Sequence, residues 1–138
     1  MGLSEANNAL TNYCLVRSEI LFAIKNIKSW VKTRCVDTPL FLSTSRCYIK
    51  PEPYGLALIF SAWNCNFLTL LIPLVQAIAA GNYVIAKPAS TAPETCKVCL
   101  KILNELPHDV VYGCAGKPEV YTELLKQRWD LIVFTGSA

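Results

Sequence analysis

Between Glu52 and Lys87 the chain carries no Asp, Glu, Lys or Arg. Such a gap raises the reading of a membrane hairpin, but a spanning helix needs about 20 predominantly apolar residues. Asn64, Asn66, Pro73, Gln76, Gly81 and Asn82 cut the stretch into shorter pieces. Each amide buried in lipid without a partner would cost a few kcal/mol, by rough estimate. The gap therefore argues for segments buried in a protein core and against a membrane span. Basic residues are spread rather than clustered, with a formal net charge of +3, so a nucleic-acid surface is excluded. No G-x-G-x-x-G occurs, nor any Asn-X-Ser/Thr acceptor, and His108 is the single histidine. The amino terminus, Met1-Gly2-Leu3-Ser4-Glu5-Ala6, shows no basic region followed by an apolar core and fails the myristoylation pattern at position six.

The 138 residues suit about one domain, and the 53% hydrophobic content is enough to build its core. Seven cysteines, an odd number at irregular spacing, argue against a disulfide framework and for a reducing, cytoplasmic location. Cys96-Lys97-Val98-Cys99 is a CxxC, but with one such pair and one histidine a zinc site is short of ligands. It also lies inside a predicted helix rather than at a helix start after a strand, where redox pairs sit, so apolar packing is its expected role.

Taken in order, Ser4 to Thr33 reads as one helix or as two broken near Ser18. Its apolar residues recur at three- and four-residue steps. Asp37-Thr38-Pro39 ends it. Cys47 to Lys50 predicts a short strand, and Pro51 to Gly55 a turn. Leu56 to Ala62 is an apolar strand, Trp63 to Asn66 a polar turn, Phe67 to Ala80 a helix, Gly81-Asn82 a turn, and Tyr83 to Ala86 a second strand. That is a βαβ unit, whose strands are covered on both faces and so lack polar alternation. Thr91 is the expected N-cap of a helix reaching about Glu105. A strand over Asp109–Tyr112, a helix from Pro118 to about Gln127 or Arg128, and a strand over Leu131–Phe134 follow. The alternation predicts an α/β fold, a partial doubly wound, Rossmann-like parallel sheet preceded by an N-terminal helical segment. The expected division is 1–50 for that segment and its connection, and 51–138 for the incomplete sheet.

A family resemblance rests on several motifs in one order. They are Pro51-Glu52-Pro53-Tyr54-Gly55, Ala62-Trp63-Asn64, Ala77-Ile78-Ala79-Ala80-Gly81-Asn82, Lys87-Pro88 and Phe134-Thr135-Gly136-Ser137. Together they resemble the amino-terminal, cofactor-binding part of an NAD(P)-dependent aldehyde dehydrogenase, nearest its class 3 branch. The text around Ala23–Trp30 and Thr122–Lys126 is similar to that branch too.

The resemblance implies roles for individual residues. Asn64 would stabilise an oxyanion through its amide, whereas the residues alone suggest a turn asparagine. Where the family continues with an aromatic residue and Pro, Cys65 and Asn66 stand here, and loss of the Pro is expected to free the turn. Ala62 and Trp63 would flank the cofactor. Lys87 would donate to ribose hydroxyls or a phosphate at a strand end, against the alternative of a lysine returning to solvent. Ser90 stands where NAD-preferring members carry a Glu, so a 2′-phosphate would meet no repelling carboxylate, and NADP is not excluded. Gly136 and Ser137 resemble the family's pyrophosphate site.

The implied cofactor is NAD or NADP and the substrate an aldehyde, in a parent enzyme expected to be a homodimer. The family's nucleophilic Cys and general-base Glu belong to later segments, so Cys65 is not read as the nucleophile and the isolated chain is expected to be inactive. Two alternatives stay open: a non-catalytic truncated partner of a full-length dehydrogenase, and a small membrane-associated protein built on residues 56–86.

Overall fold

The computed structural model describes residues 9–42 and 44–137. Its centre is a four-stranded parallel sheet made of β3 (Leu56–Phe60), β4 (Tyr83–Lys87), β5 (Val111–Gly113) and β6 (Leu131–Phe134). The strand order is β5-β4-β3-β6. The chain thus moves outward from β3 through β4 to β5, then returns to add β6 on the other side of β3. The strand order reverses between β3 and β6, which is where an open α/β sheet offers a crevice at its carboxyl edge.

Helices α2 (Asn66–Ala79), α3 (Pro93–Asn104) and α4 (Pro118–Leu125) make the three crossovers. Strand parity divides the side chains between two faces. Ala57, Ile59, Val84, Ala86 and Val111 join Leu70, Leu74 and Ala77 of α2 and Cys99 and Leu103 of α3 in one core cluster. Phe60 and Lys87 are register partners on adjacent strands and point to the opposite face, where Tyr121 of α4 meets them both. Helix α1 (Leu15–Trp30) lies along α2 and adds the buried Val16 and Ala23.

At the amino edge of the sheet, Gly81 ends α2 with φ +87°, a conformation that costs glycine little. Asn82, 4% exposed, then donates from Nδ2 to the Ala77 carbonyl and accepts the Gly55 amide at Oδ1, both at 3.0 Å. The Ala-Gly-Asn motif is therefore a helix stop that also fastens the start of β3.

The predicted βαβ unit matches the structure to within a residue or two, and no helix among the described residues is long and apolar enough to cross a membrane. Four expectations differ. The described amino-terminal helix begins as a π-helical turn, Ala9–Cys14, continues unbroken through Ser18, and ends at Trp30 rather than Thr33. The expected start at Ser4 lies outside the described residues. Arg34–Val36, unassigned from the sequence, forms β1 and pairs antiparallel with β2 (Cys47–Ile49). Its three residues are all exposed, so no burial pattern marks it. The strand expected at Asp109–Tyr112 begins at Val111, because the Val110 and Val111 amides both turn back to the Pro107 carbonyl. Thr91 does not cap α3: Pro93 takes the first helical position, and Ala92 before it offers no side-chain cap.

Candidate functional site

The crevice predicted by the strand order is present. It has a volume of about 560 Å³ and lies across the carboxyl ends of β3 and β6. Ser61, Ala62, Trp63 and Asn64 form one wall, Phe134, Thr135, Gly136 and Ser137 another, and Ala89, Thr91 and Tyr121 complete it. Of the residues expected at the site, Ala62, Trp63, Asn64, Gly136 and Ser137 are thus brought together. Ser90 is half-buried in the same loop as Ala89 and Thr91 but is not part of the lining.

The turn carrying Asn64 is not freed by the missing proline. Thr69, one turn into α2, accepts the Ala62 amide at 3.0 Å and donates its hydroxyl to the Cys65 carbonyl at 2.9 Å. Asn66, at the first helical position, is 1% exposed. Its Oδ1 accepts from the Ser61 hydroxyl and from the Ala89 amide, and its Nδ2 donates to the Ala89 carbonyl at 3.0 Å. The Ser61 hydroxyl oxygen also accepts from the Ala89 amide at 3.0 Å. A side-chain amide thus replaces ring rigidity, fastening the turn after β3 to the loop after β4 and leaving Asn64 exposed on the crevice.

Lys87 departs furthest from expectation. It is 0% exposed and is absent from the crevice lining. Its ammonium donates to the Gly116 carbonyl at 3.0 Å and sits 3.6 Å from the centroid of the Tyr121 ring. Strand parity accounts for this, because Lys87 continues the face of Phe60 rather than leaving through the strand end. Tyr121 stacks on Phe60 with ring centroids 4.9 Å apart, so Phe60 backs the tyrosine that covers the lysine. Burial lowers the Lys87 pKa from its ordinary 10.5, and the nearby Cys114 and Cys96 partly oppose this. Burial likewise raises the Tyr121 hydroxyl.

Tyr121 and Thr91 are crevice residues that the sequence reading did not single out. The half-buried positions of α4, Val120, Tyr121 and Leu124, recur at helical spacing, and that periodicity was the available signal for Tyr121. For Thr91 the cap reading concealed it.

The CxxC behaves as expected. Cys96 and Cys99 are buried, and burial raises the first thiol and pushes the second up to about 11. Among the described residues, no three or more His, Cys, Asp or Glu are grouped so that they could hold a metal ion.

The profile of the aldehyde dehydrogenase family matches residues 8–138. The chain belongs to the aldehyde dehydrogenase family. Aldehyde dehydrogenase family 3 member A2 of Macaca fascicularis is 40% identical over 135 residues, 97% of this chain and 28% of that protein. Family 3 member B2 of Mus musculus is 37% identical over 99% of this chain and 29% of its own length. In the solved aldehyde dehydrogenase of Staphylococcus aureus, in a substrate-bound state, the TM-score is 0.95 at 36% identity. That match covers 99% of this chain and 30% of the other. A Mycobacterium tuberculosis aldehyde dehydrogenase solved with NAD+ is 19% identical with a TM-score of 0.75, covers 91% of this chain and 26% of its own, and shares the fold. The chain therefore spans less than a third of the length of the family members it matches.

Proposed function

We propose that this chain supplies the nucleotide-binding floor and the oxyanion-stabilising amide of an NAD(P)-dependent aldehyde dehydrogenase, which oxidises an aldehyde to a carboxylic acid. One observation carries the reading: the crevice at the strand-order reversal gathers the motif residues Ala62, Trp63, Asn64, Gly136 and Ser137 from two separate strand ends. The NAD+ held by the related M. tuberculosis enzyme supports a nicotinamide cofactor for the same fold.

The residues fit such a group. Gly136 and Ser137 present backbone and a hydroxyl where a pyrophosphate can approach, and any Cβ on Gly136 would come within 2.5 Å of the Phe134 ring. The exposed Trp63 and Phe134 offer apolar surface to a heterocycle. Bound here, the cofactor supplies a hydride acceptor. The Asn64 amide, on the turn that the Thr69 and Asn66 bonds fasten, would donate to the carbonyl oxygen as charge develops on it. Lys87 reaches ribose hydroxyls or phosphate once released from Gly116 and Tyr121. In this reading Ser90 tolerates a 2′-phosphate, the working enzyme is a cytoplasmic homodimer, and the 138 residues alone do not turn over aldehyde.

Titration with NAD and with ADP-ribose, followed by tryptophan fluorescence, tests the proposal. Saturable quenching that is lost in Gly136→Val is expected. Quenching that is absent, or unchanged by that substitution, refutes it.

A further inference from the structure

Lys87 and Tyr121 pose a question that the proposed function leaves open. The ammonium that should reach a nucleotide is fully covered, and Tyr121, the residue covering it, is itself part of the crevice wall. The arrangement is built rather than incidental. The ammonium has a carbonyl acceptor in Gly116 and a ring face in Tyr121, and the ring is backed by Phe60 at 4.9 Å. A cation held over a tyrosine face away from water is attracted to the ring quadrupole more strongly than at an exposed site.

Gly116 and Tyr121 also belong to one structural unit. Gly116 ends the loop from β5, with φ +149°, and a Cβ there would come within 2.3 Å of Val120. The carbonyl acceptor thus lies against the first turn of α4, Pro118–Leu125, which also carries the ring, and both contact the same ammonium.

We propose that Tyr121 and the Gly116 carbonyl form a latch that keeps Lys87 out of the crevice until a nucleotide draws it out. This rests on the reading of Lys87 as a nucleotide contact. A ligand presenting a ribose diol or a 2′-phosphate competes for the ammonium at the crevice edge. Only the unlatched protein makes that contact, so the latch reduces apparent affinity by the fraction of protein held closed. Tyr121 is thus a positioning residue acting through Lys87. It sets how much cofactor is needed to assemble the site, and the 2′-phosphate, with its greater charge, opens the latch more readily than the diol.

The test titrates ADP-ribose and its 2′-phosphorylated counterpart into the protein and into Tyr121→Leu, Tyr121→Phe and Lys87→Met. NMR of 13C-labelled lysine follows the Lys87 side chain. Removal of the ring is expected to tighten ADP-ribose binding about three- to tenfold. Tyr121→Phe, which keeps the ring, should give none of that gain. In the free protein the Lys87 methylene next to nitrogen should resonate upfield under the Tyr121 ring, and saturating ADP-ribose should return it to an ordinary shift. If Lys87→Met binds ADP-ribose as well as the parent does, the nucleotide role of Lys87 fails. If Lys87→Met weakens binding but Tyr121→Leu also weakens it or leaves it unchanged, the latch alone is overturned. A Lys87 signal that keeps its upfield shift at saturation also overturns it. Should Tyr121→Leu fail to fold, the ligand-dependent shift in the parent protein decides the matter.

Discussion

Asn66 gives the most direct test of how the Asn64 turn is held. Alanine at this position removes the Oδ1 that accepts from Ser61 and Ala89, and the Nδ2 that donates to Ala89. The loss is not three whole bonds. The Ala89 amide keeps the Ser61 hydroxyl at 3.0 Å, and the Ala89 carbonyl keeps a long contact from the Ala92 amide at 3.4 Å. What is left poorly satisfied is the Ser61 hydroxyl hydrogen and most of the Ala89 carbonyl, both buried. An unsatisfied buried polar group costs about 1–3 kcal/mol, so Asn66→Ala should destabilise the fold by about 2–4 kcal/mol. In a domain of this size that lowers the melting temperature by roughly 10 °C.

Asn66→Asp is the sharper variant. Its carboxylate still accepts from Ser61 and from the Ala89 amide, but it cannot donate and confronts the Ala89 carbonyl with like partial charge. It should cost as much as alanine at pH 7 and recover partly at acid pH, where a protonated carboxyl donates again. The assay is urea unfolding of each variant, together with amide hydrogen exchange at Trp63, Asn64 and Cys65. A loss below about 1 kcal/mol, with unchanged exchange in the turn, would refute the account, because buried groups so treated cannot be this indifferent.

Three further outcomes are expected. Asn64→Ala, measured in an aldehyde dehydrogenase assay of the catalytically complete protein, should lower kcat by about 10²- to 10³-fold while KM changes little, and an unchanged kcat would remove Asn64 from the chemistry. Ser90→Glu should weaken the affinity for NADP relative to NAD, read by parallel titrations, and an unaltered ratio would show that Ser90 does not face the 2′ position. Cys99, pushed by burial from an ordinary 9.0 up to about 11, keeps its proton in the folded chain after the unfolded chain has lost it. Its stabilising contribution is therefore full below pH 9 and declines between pH 9 and 11, at up to about 1.4 kcal/mol per pH unit. Lys87, whose pKa is lowered, acts in the opposite sense as the pH approaches 10.5. Unfolding free energies across that range should fall less steeply in Cys99→Ala, the remaining decline coming from Cys96 and Tyr121, which burial also raises, and at pH 8 iodoacetamide should label the exposed Cys14, Cys35 and Cys65 while leaving Cys99 intact.

Much of the architecture was legible because the responsible signals are local. A charge-free run from Pro53 to Ala86, divided by a polar turn and by Gly81-Asn82, leaves few structures other than strand, helix and strand. Glycine at position 81 is read directly as a helix stop, and the structure shows the left-handed backbone it permits. Short, exposed β1 was illegible, since nothing in Arg34-Cys35-Val36 distinguishes a strand from a loop until Cys47–Ile49 lies beside it.

The sequence by itself determined which residues are available at the crevice: an amide at Asn64, and small backbone-exposing residues at Gly136 and Ser137. The alternation of apolar runs with turns was enough to predict a parallel, doubly wound sheet, and the nucleotide role came from the family resemblance of the motifs. Only the tertiary structure decided where the charges and amides point. Asn66 reads as a solvent-facing turn residue, yet it is buried because Ala89, 23 residues on, supplies a donor and an acceptor together. Lys87 reads as a ligand contact, yet it is covered because strand register sets it beside Phe60 and a helix 31 to 38 residues later brings Tyr121 over it. Periodicity along one segment determines which face a side chain takes, whereas the partner it meets there is supplied by a distant segment and exists only once the sheet has closed around it.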